Sequence, residues 1–337
     1  MYRTFNCNDS SQIVKDLLIY RLPKETAPVI KHGTFSILKE GEKPSGFVVS
    51  DFLHERAFHF RESAEFDPGF DFHYGREIPT VISRRDYQIE AQAFLNSFPL
   101  LGVEKGVFSR IKQTPFRGDR AFDLFHLLEN TYPHAFCYLI SSAEFGTWIG
   151  ATPELLMNQE GMVCKTVALA GTHGENEEHE WTPKELEEHA FVVDAIKETL
   201  DRNECVEIES DGPYVVQAGP VQHLKTDFKA LLTKPNAWSI ALDLHPTPAV
   251  CGTPRRNAIE AIASREMHDR ELYTGFIGLF EEGNTNLFVN LRCAQLFRDK
   301  AFLYVGGGFT IDSIPDLEWE ETEHKAETLM RVMKKIL

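Results

Sequence analysis

Basic side chains are scarce in this sequence: 35 Lys and Arg stand against 51 Asp and Glu in 337 residues, a formal charge of −16. That deficit argues against a nonspecific nucleic-acid surface or an anionic-membrane surface. An anionic ligand would therefore need a local basic pocket or a bound cation. Cysteine is sparse too, and Cys7, Cys137, Cys164, Cys205, Cys251 and Cys293 form no C-x-x-C pair and no zinc-ligand spacing. Scattered thiols of this kind fit a reducing, cytoplasmic setting. The N-terminus lacks the apolar stretch of a signal peptide or membrane span, so a soluble protein is expected. No fixed-period repeat and no Pro/Gly/Ser-rich linker divides the chain, which favours one continuous domain. There is no G-x-S-x-G elbow and no Walker loop, and His179-Glu180 does not continue into H-E-x-x-H, so hydrolase, NTPase and zinc-protease readings lack support.

What is present suffices for a packed core: 42% hydrophobic and 11% aromatic residues exclude a disordered chain. The pattern predicts a short helix from Ser10 to Tyr20, strands at Thr34 to Leu38 and Gly46 to Phe52, and a helix starting at the capping box Ser83-Arg-Arg-Asp86. A strand at Gly106 to Gln113 and a helix at Ala121 to Glu129 follow. Three β segments between Ala135 and Thr172 are broken by Gly146, Pro153 and Gly161. Thr182-Pro-Lys-Glu185 opens the best-marked helix, with Leu186, Ala190, Val193, Ile196 and Leu200 on one face. Helices at Trp238 to Asp243 and Arg256 to Met267 precede a β-rich stretch to Val305. Ser313 is expected to cap a terminal helix, Ile314 to Leu337. Antiparallel stretches mixed with helices, without βαβ alternation, point to α+β.

Two helices carry carboxylates at helical spacing. Glu185 and Glu188 are three apart, and Glu318, Glu321 and Lys325 follow spacings of three and four, so each set shares one face. Facing each other, they would form an oxygen-rich site suited to Mg²⁺. Taken alone, the same spacing reads more often as solvated charge runs, with a capping role for Glu185. Gly306-Gly-Gly308 after an apolar strand is either a turn or a loop whose N–H groups approach an anion. Arg292, in the β-like run Asn290 to Ala294, needs an anionic partner, either a ligand carboxylate or an internal one. Lys105 and Glu154 are anonymous by themselves.

Together, several segments resemble the chorismate-utilising enzymes, the family of isochorismate, salicylate, anthranilate and aminodeoxychorismate synthases. They are Lys105-Gly-Val-Phe-Ser-Arg110, Gly150-Ala-Thr-Pro-Glu-Leu-Leu156, Ala168-Leu-Ala-Gly-Thr172, Lys184-Glu-Leu-Glu-Glu-His189, Leu244-His-Pro-Thr-Pro-Ala249, Arg270-Glu-Leu-Tyr-Thr-Gly275, Leu291-Arg-Cys-Ala294 and Gly306 to Lys325. The match runs from about Lys105 to Lys325, in the family's order. The segment around His245 resembles the isochorismate-forming version, since amine-forming members lack this His. The chain departs from the family at Gly307-Gly308-Phe309, where Ala-Gly-Ile is usual, and at Gly106, where Val is common.

The resemblance implies a single large α+β domain of two mostly antiparallel sheets packed together with helices outside. Residues 1–100 would be its poorly matching N-terminal part and 101–337 its chorismate-binding catalytic region. It implies Mg²⁺-dependent conversion of chorismate to isochorismate, for a menaquinone or siderophore destination. Lys105 would be the general base and Glu154 the general acid. Glu188 and Glu321 would bind Mg²⁺, with Glu185 and Glu318 as neighbouring carboxylates. Tyr273, Arg292, Gly306, Gly308 and Lys325 would hold the substrate carboxylates, with Gly171, Thr172 and His245 at the pocket. No organic cofactor, nucleic acid, membrane or glutaminase subunit is expected. The alternatives are a salicylate synthase, an ammonia-dependent anthranilate or aminodeoxychorismate synthase component I, and a noncatalytic chorismate-binding subunit.

Overall fold

The computed structural model describes residues 15–63, 71–75, 77–174, 181–218 and 221–336. Four strands come first: β1 (Asp16–Arg21), β2 (Val29–Ile37), β3 (Gly46–Ser50) and β4 (Ala57–Glu62). The helix expected from Ser10 to Tyr20 is not formed where the chain is described, since Asp16–Arg21 is a strand buried at every position; residues 10–14 lie outside the described residues. Leu17 and Ile19 pack toward one core and Leu18 and Tyr20 toward another, so both faces of β1 are covered. An unbroken apolar run is what such a strand requires.

Helix α1 (Arg84–Leu101) starts as expected, with Ser83 Oγ accepting from the Asp86 N–H at 3.2 Å. The same hydroxyl bonds Asp86 Oδ2 at 2.7 Å, so Asp86 does not return to the Ser83 backbone. Next are β5 (Lys105–Pro115) and α2 (Ala121–Thr131). Three breaks leave four strands where three were expected: β6 (Phe136–Ser142), β7 (Gly146–Thr152), β8 (Leu155–Glu160) and β9 (Val163–Gly174).

Helix α3 (Pro183–Arg202) has the reciprocal cap: Thr182 Oγ1 accepts from the Glu185 N–H at 3.4 Å and Glu185 Oε2 accepts from the Thr182 N–H at 2.8 Å. Its buried stripe runs through Glu188, His189, Val192, Ile196 and Leu200, whereas Leu186 and Ala190 are exposed, contrary to the expected face. The hairpin of β10 (Val206–Ala218) and β11 (Val221–Leu231) was not anticipated, because β10 is mostly exposed and lacks apolar alternation.

The remaining elements are α4 (Ala237–Leu244), β12 (Gly252–Thr253), α5 (Arg255–Arg265), β13 (Phe276–Glu281), β14 (Asn284–Val289), β15 (Cys293–Leu296), β16 (Lys300–Thr310) and α6 (Pro315–Met333). Ser313 does not cap α6: its Oγ accepts from the Thr310 N–H at 3.1 Å, and Ile314 occupies the cap position ahead of Pro315.

Among the described residues all pairings are antiparallel, in one ladder of order β10-β11-β9-β8-β14-β13-β3-β4-β2-β1-β6-β7-β15-β16-β5-β12. Hydrogen bonding therefore runs through a single ladder rather than through two separate sheets. Phe136 of β6 and Phe288 of β14 nevertheless stack with centroids 4.5 Å apart, although their strands stand six places apart in the order. A flat sheet would separate them by roughly 29 Å, so the ladder curls back on itself. Among the described residues, the core enclosed by the curl, including Phe35, Phe58, Tyr138, Trp148 and Tyr304, contains no helical residue. Helices instead pack on the outer faces, α2 and α6 against β6 and β16, α3 against β9 and α5 against β5. The N-terminal strands β1 to β4 stand in the middle of the ladder. Among the described residues, no helix is long and apolar enough to cross a membrane.

Candidate active site

Helices α3 and α6 meet the ends of β5 and β16 around a cavity of about 180 Å³. Lys105, the first residue of β5, is 3% exposed, and its Nζ lies 3.4 Å from Glu188 Oε2 on α3. Their register is set from both sides, because Lys105 pairs with Thr310 of β16 and Thr253 of β12. Glu154 enters from the turn after Pro153 and is 7% exposed. Burial pushes its carboxyl up to about 7, against the opposing pull of Arg292, Lys325 and Lys105. A buried amine and a carboxyl titrating near neutrality thus share one cavity, the arrangement that acid–base chemistry needs.

The carboxylate helices do face each other. Glu185, Glu188, Glu318 and Glu321 all line the cavity. The spacing of three and four on α6 brings Lys325 Nζ to 2.5 Å from Glu321 Oε1, and that ammonium also donates to Gly306 O at 2.9 Å. Burial alone would raise the Glu321 carboxyl, but Lys325, Lys105 and Arg292 outweigh it and hold it below its ordinary value. Glu185 keeps the capping role as well, its Oε2 accepting from Thr182. The donors are all carboxylate oxygens, the hard set that Mg²⁺ takes. Among the described residues no three of His, Cys, Asp and Glu are grouped closely enough to hold a metal by themselves. Magnesium suits such a set, since it keeps several waters and uses substrate oxygens as further ligands.

Arg292 sits at the bend between β14 and β15 with φ +50, a conformation unusual for a side-chain-bearing residue. Asn290 fixes this bend, accepting from the Tyr138 hydroxyl at 2.6 Å and donating to Leu272 O at 2.8 Å. Arg292 Nη1 donates to Lys325 O at 3.1 Å, and no carboxylate among the described residues forms an ion pair with it. Its guanidinium therefore lines the cavity with donors to spare. Tyr273 lines it too, and burial raises its phenol, keeping the hydroxyl a donor.

The structure thus gathers Lys105, Glu154, Glu185, Glu188, Tyr273, Arg292, Gly306, Gly308, Glu318, Glu321 and Lys325 into one cavity. His245 is not among the lining residues. It is 4% exposed, its Nε2 meets Phe52 O at 2.9 Å, and burial pushes it down to about 3, so it is a neutral ring tying α4 to the β3–β4 turn. Gly171 and Thr172 follow the lining residues Leu169 and Ala170 on β9, and their side-chain positions lie outside the described residues, as do His179 and Glu180. Sequence reasoning missed Thr274, at φ +60, and the apolar walls at Ala249, Val250 and Leu291. Thr274, Ala249 and Leu291 fall inside the motif blocks, Thr274 beside Tyr273 and Leu291 beside Arg292, whereas no block includes Val250.

Two glycines in the segments that depart from the family pattern have close neighbours. A Cβ at Gly106 would lie 2.5 Å from the Phe94 ring of α1, so glycine lets that helix seat on β5. A Cβ at Gly307 would lie 2.9 Å from Glu318 Oε2, so glycine there leaves room for the carboxylate.

The sequence profile of the chorismate binding enzymes matches residues 70–334. A vibriobactin-specific isochorismate synthase of Vibrio cholerae is 31% identical over 276 residues, 77% of this chain and 70% of that protein. The isochorismate synthase EntC of Escherichia coli K12 is 32% identical over 246 residues, 68% of this chain and 62% of its own length. The chain thus spans about two thirds of these curated relatives. The Bacillus anthracis protein described as a 2,3-dihydroxybenzoate-specific isochorismate synthase, DhbC, has a crystal structure that superposes with a TM-score of 0.78 at 25% identity, covering 95% of this chain and 96% of that one.

Proposed function

The chain belongs to the chorismate binding enzymes, and on that premise we propose that it converts chorismate to isochorismate by adding water at C2 and expelling the C4 hydroxyl. The observation that carries this reading is Glu154, buried in the same cavity as Lys105, with its carboxyl pushed up to about 7 by burial. Lys105 takes a proton from the attacking water, the ring double bonds shift, and Glu154 gives its proton to the departing hydroxyl. One water enters and one leaves, so the reaction is an isomerisation. Chorismate carries two carboxylates; Arg292 and Tyr273 bind one, and the Gly306 to Gly308 backbone with Lys325 approaches the other.

Glu188 and Glu321 would hold Mg²⁺, with Glu318 and the capping residue Glu185 beside them. Bound there, the ion supplies charge neutralisation for a substrate carboxylate. The same reading assigns catalysis to residues 101–337 and makes residues 1–100 the N-terminal part of one domain, supported by the central place of β1 to β4 in the ladder. It takes the two halves of the curled ladder as the family's pair of packed sheets. It needs no glutaminase subunit, nucleic acid or membrane, and it suits a cytoplasmic enzyme supplying a siderophore or menaquinone.

Chromatography of the products from chorismate and Mg²⁺, with and without ammonium, tests the activity. Isochorismate without ammonium is expected. Salicylate with pyruvate, or an aminated ring formed only with ammonium, would replace this reading with a sibling activity, and no product would sink it.

A further inference from the structure

β5 carries Lys105 at the edge of the ladder, and its last neighbour, β12, pairs with only Lys105 and Gly106. Beyond those residues no strand among the described residues pairs with the outer edge of β5, yet its groups at Val107 and Ser109 are buried and need partners. Cys251 O accepts from the Val107 N–H at 3.0 Å, and two side chains supply the rest. Glu266 Oε1 accepts from the Ser109 N–H at 2.7 Å and from Ser109 Oγ at 2.8 Å, and Arg270 Nη2 donates to Val107 O at 2.7 Å. The two residues form a bidentate ion pair, Nε to Oε2 at 2.8 Å and Nη2 to Oε1 at 2.6 Å, with side chains 4% and 3% exposed.

Arg270 reaches further. Its Nη1 donates to Val250 O at 2.8 Å and to Thr274 Oγ1 at 3.3 Å, and the guanidinium lies 4.2 Å over the Phe52 ring. Val107, Val250 and Thr274 all line the cavity. One planar cation therefore clamps three separate pieces of the cavity wall, including the strand on which Lys105 stands two residues from Val107 and on the same face. An ordinary structural salt bridge needs none of these extra bonds.

We propose that the buried Glu266–Arg270 pair is the positioning device of this site, standing in for a missing strand along β5 and holding Lys105 in register with the wall formed by Val250 and Thr274. This rests on the proposed activity, in which Lys105 acts on water. A displacement of about 1 Å is enough to cost roughly a hundredfold in rate.

Arg270→Lys tests it, because lysine keeps the charge opposite Glu266 but cannot bond Val107, Val250 and Thr274 together. Glu266→Gln is the companion variant, keeping an acceptor for Ser109 while removing the charge. Wild-type turnover of chorismate is measured first, and its absence would defeat the functional reading rather than this one. With the wild type active and a variant cooperatively folded, kcat is expected to fall at least thirtyfold while KM moves less than threefold, and amide exchange across residues 105–109 to accelerate. In a Lys105→Ala background the same substitution is expected to cost less than threefold, since it acts through Lys105. Full kcat in both folded variants, or a loss undiminished in the Lys105→Ala background, overturns the proposal. If Arg270→Lys fails to fold, the same criteria apply to Glu266→Gln, and loss of folding in both makes the pair a stability element and overturns it as well.

Discussion

Lys105 Nζ and Glu188 Oε2 lie 3.4 Å apart across the cavity, joining the edge strand β5 to the first turns of α3. The pair links the residue assigned to base catalysis to a carboxylate assigned to the metal, so the two functions are not separable in space. Lys105→Ala removes the base without emptying a large volume from the core. Turnover is expected to fall roughly a hundredfold or more, the usual scale for a general base, with cooperative thermal unfolding retained. Unchanged kcat would remove Lys105 from the mechanism.

Glu154→Gln separates chemistry from stability. As general acid, Glu154 must hold its proton, so kcat/KM should decline as pH rises through about 7, and the variant should lose about a hundredfold and with it that limb of the profile. Stability should move oppositely. The folded-state value, raised from the ordinary 4.5, means this group contributes stability fully present below 4.5 and lost as pH rises through about 7. At pH 8 the glutamine variant, free of a buried charge, should be more stable than the wild type by up to about 3 kcal/mol. Denaturant unfolding at pH 5 and pH 8 checks this, and an equal difference at both would contradict the buried, protonated carboxyl.

Magnesium should raise the melting temperature of the wild type in a concentration-dependent way, as any ligand of the folded state does. Glu188→Gln and Glu321→Gln should each move that dependence to at least tenfold higher Mg²⁺, and calcium-free, substrate-free thermal shifts read it without invoking turnover. A shift identical in all three proteins would place the ion elsewhere.

Arg292→Lys keeps a positive charge at the bend but gives up the planar fork. Loss of a charge-assisted bond to a substrate carboxylate is worth about 1.5–3 kcal/mol, so KM for chorismate should rise roughly ten- to a hundredfold. Initial-rate kinetics decide it, and an unaltered KM would mean that the substrate carboxylates bind without Arg292.

Helical spacing in the sequence was enough to put Glu185 with Glu188, and Glu318 with Glu321 and Lys325, on single faces, because an α-helix fixes neighbours three and four apart from local geometry alone. Lys105 and Glu154 were recognisable only through ordered motif blocks, since nothing local distinguishes them from surface residues. The curl of the ladder was not legible: pairings such as β1 with β6 and β8 with β14 join segments over a hundred residues apart. β1 was misread because a strand covered on both faces loses its alternation. His245 is expected at the pocket only from the family resemblance, and the signature of a buried neutral histidine is the same in sequence. Glu266 and Arg270, an i, i+4 pair, would read as a surface salt bridge, and only burial against the open edge of β5 shows otherwise.

The most direct test is mass spectrometry of the product formed from unlabelled chorismate in ¹⁸O-labelled water. Addition of solvent water at C2 predicts isochorismate carrying one heavy oxygen, formed without ammonium, and lost in Lys105→Ala. Isochorismate without label would mean that the hydroxyl migrates within the substrate, contradicting the roles assigned to Lys105 and Glu154.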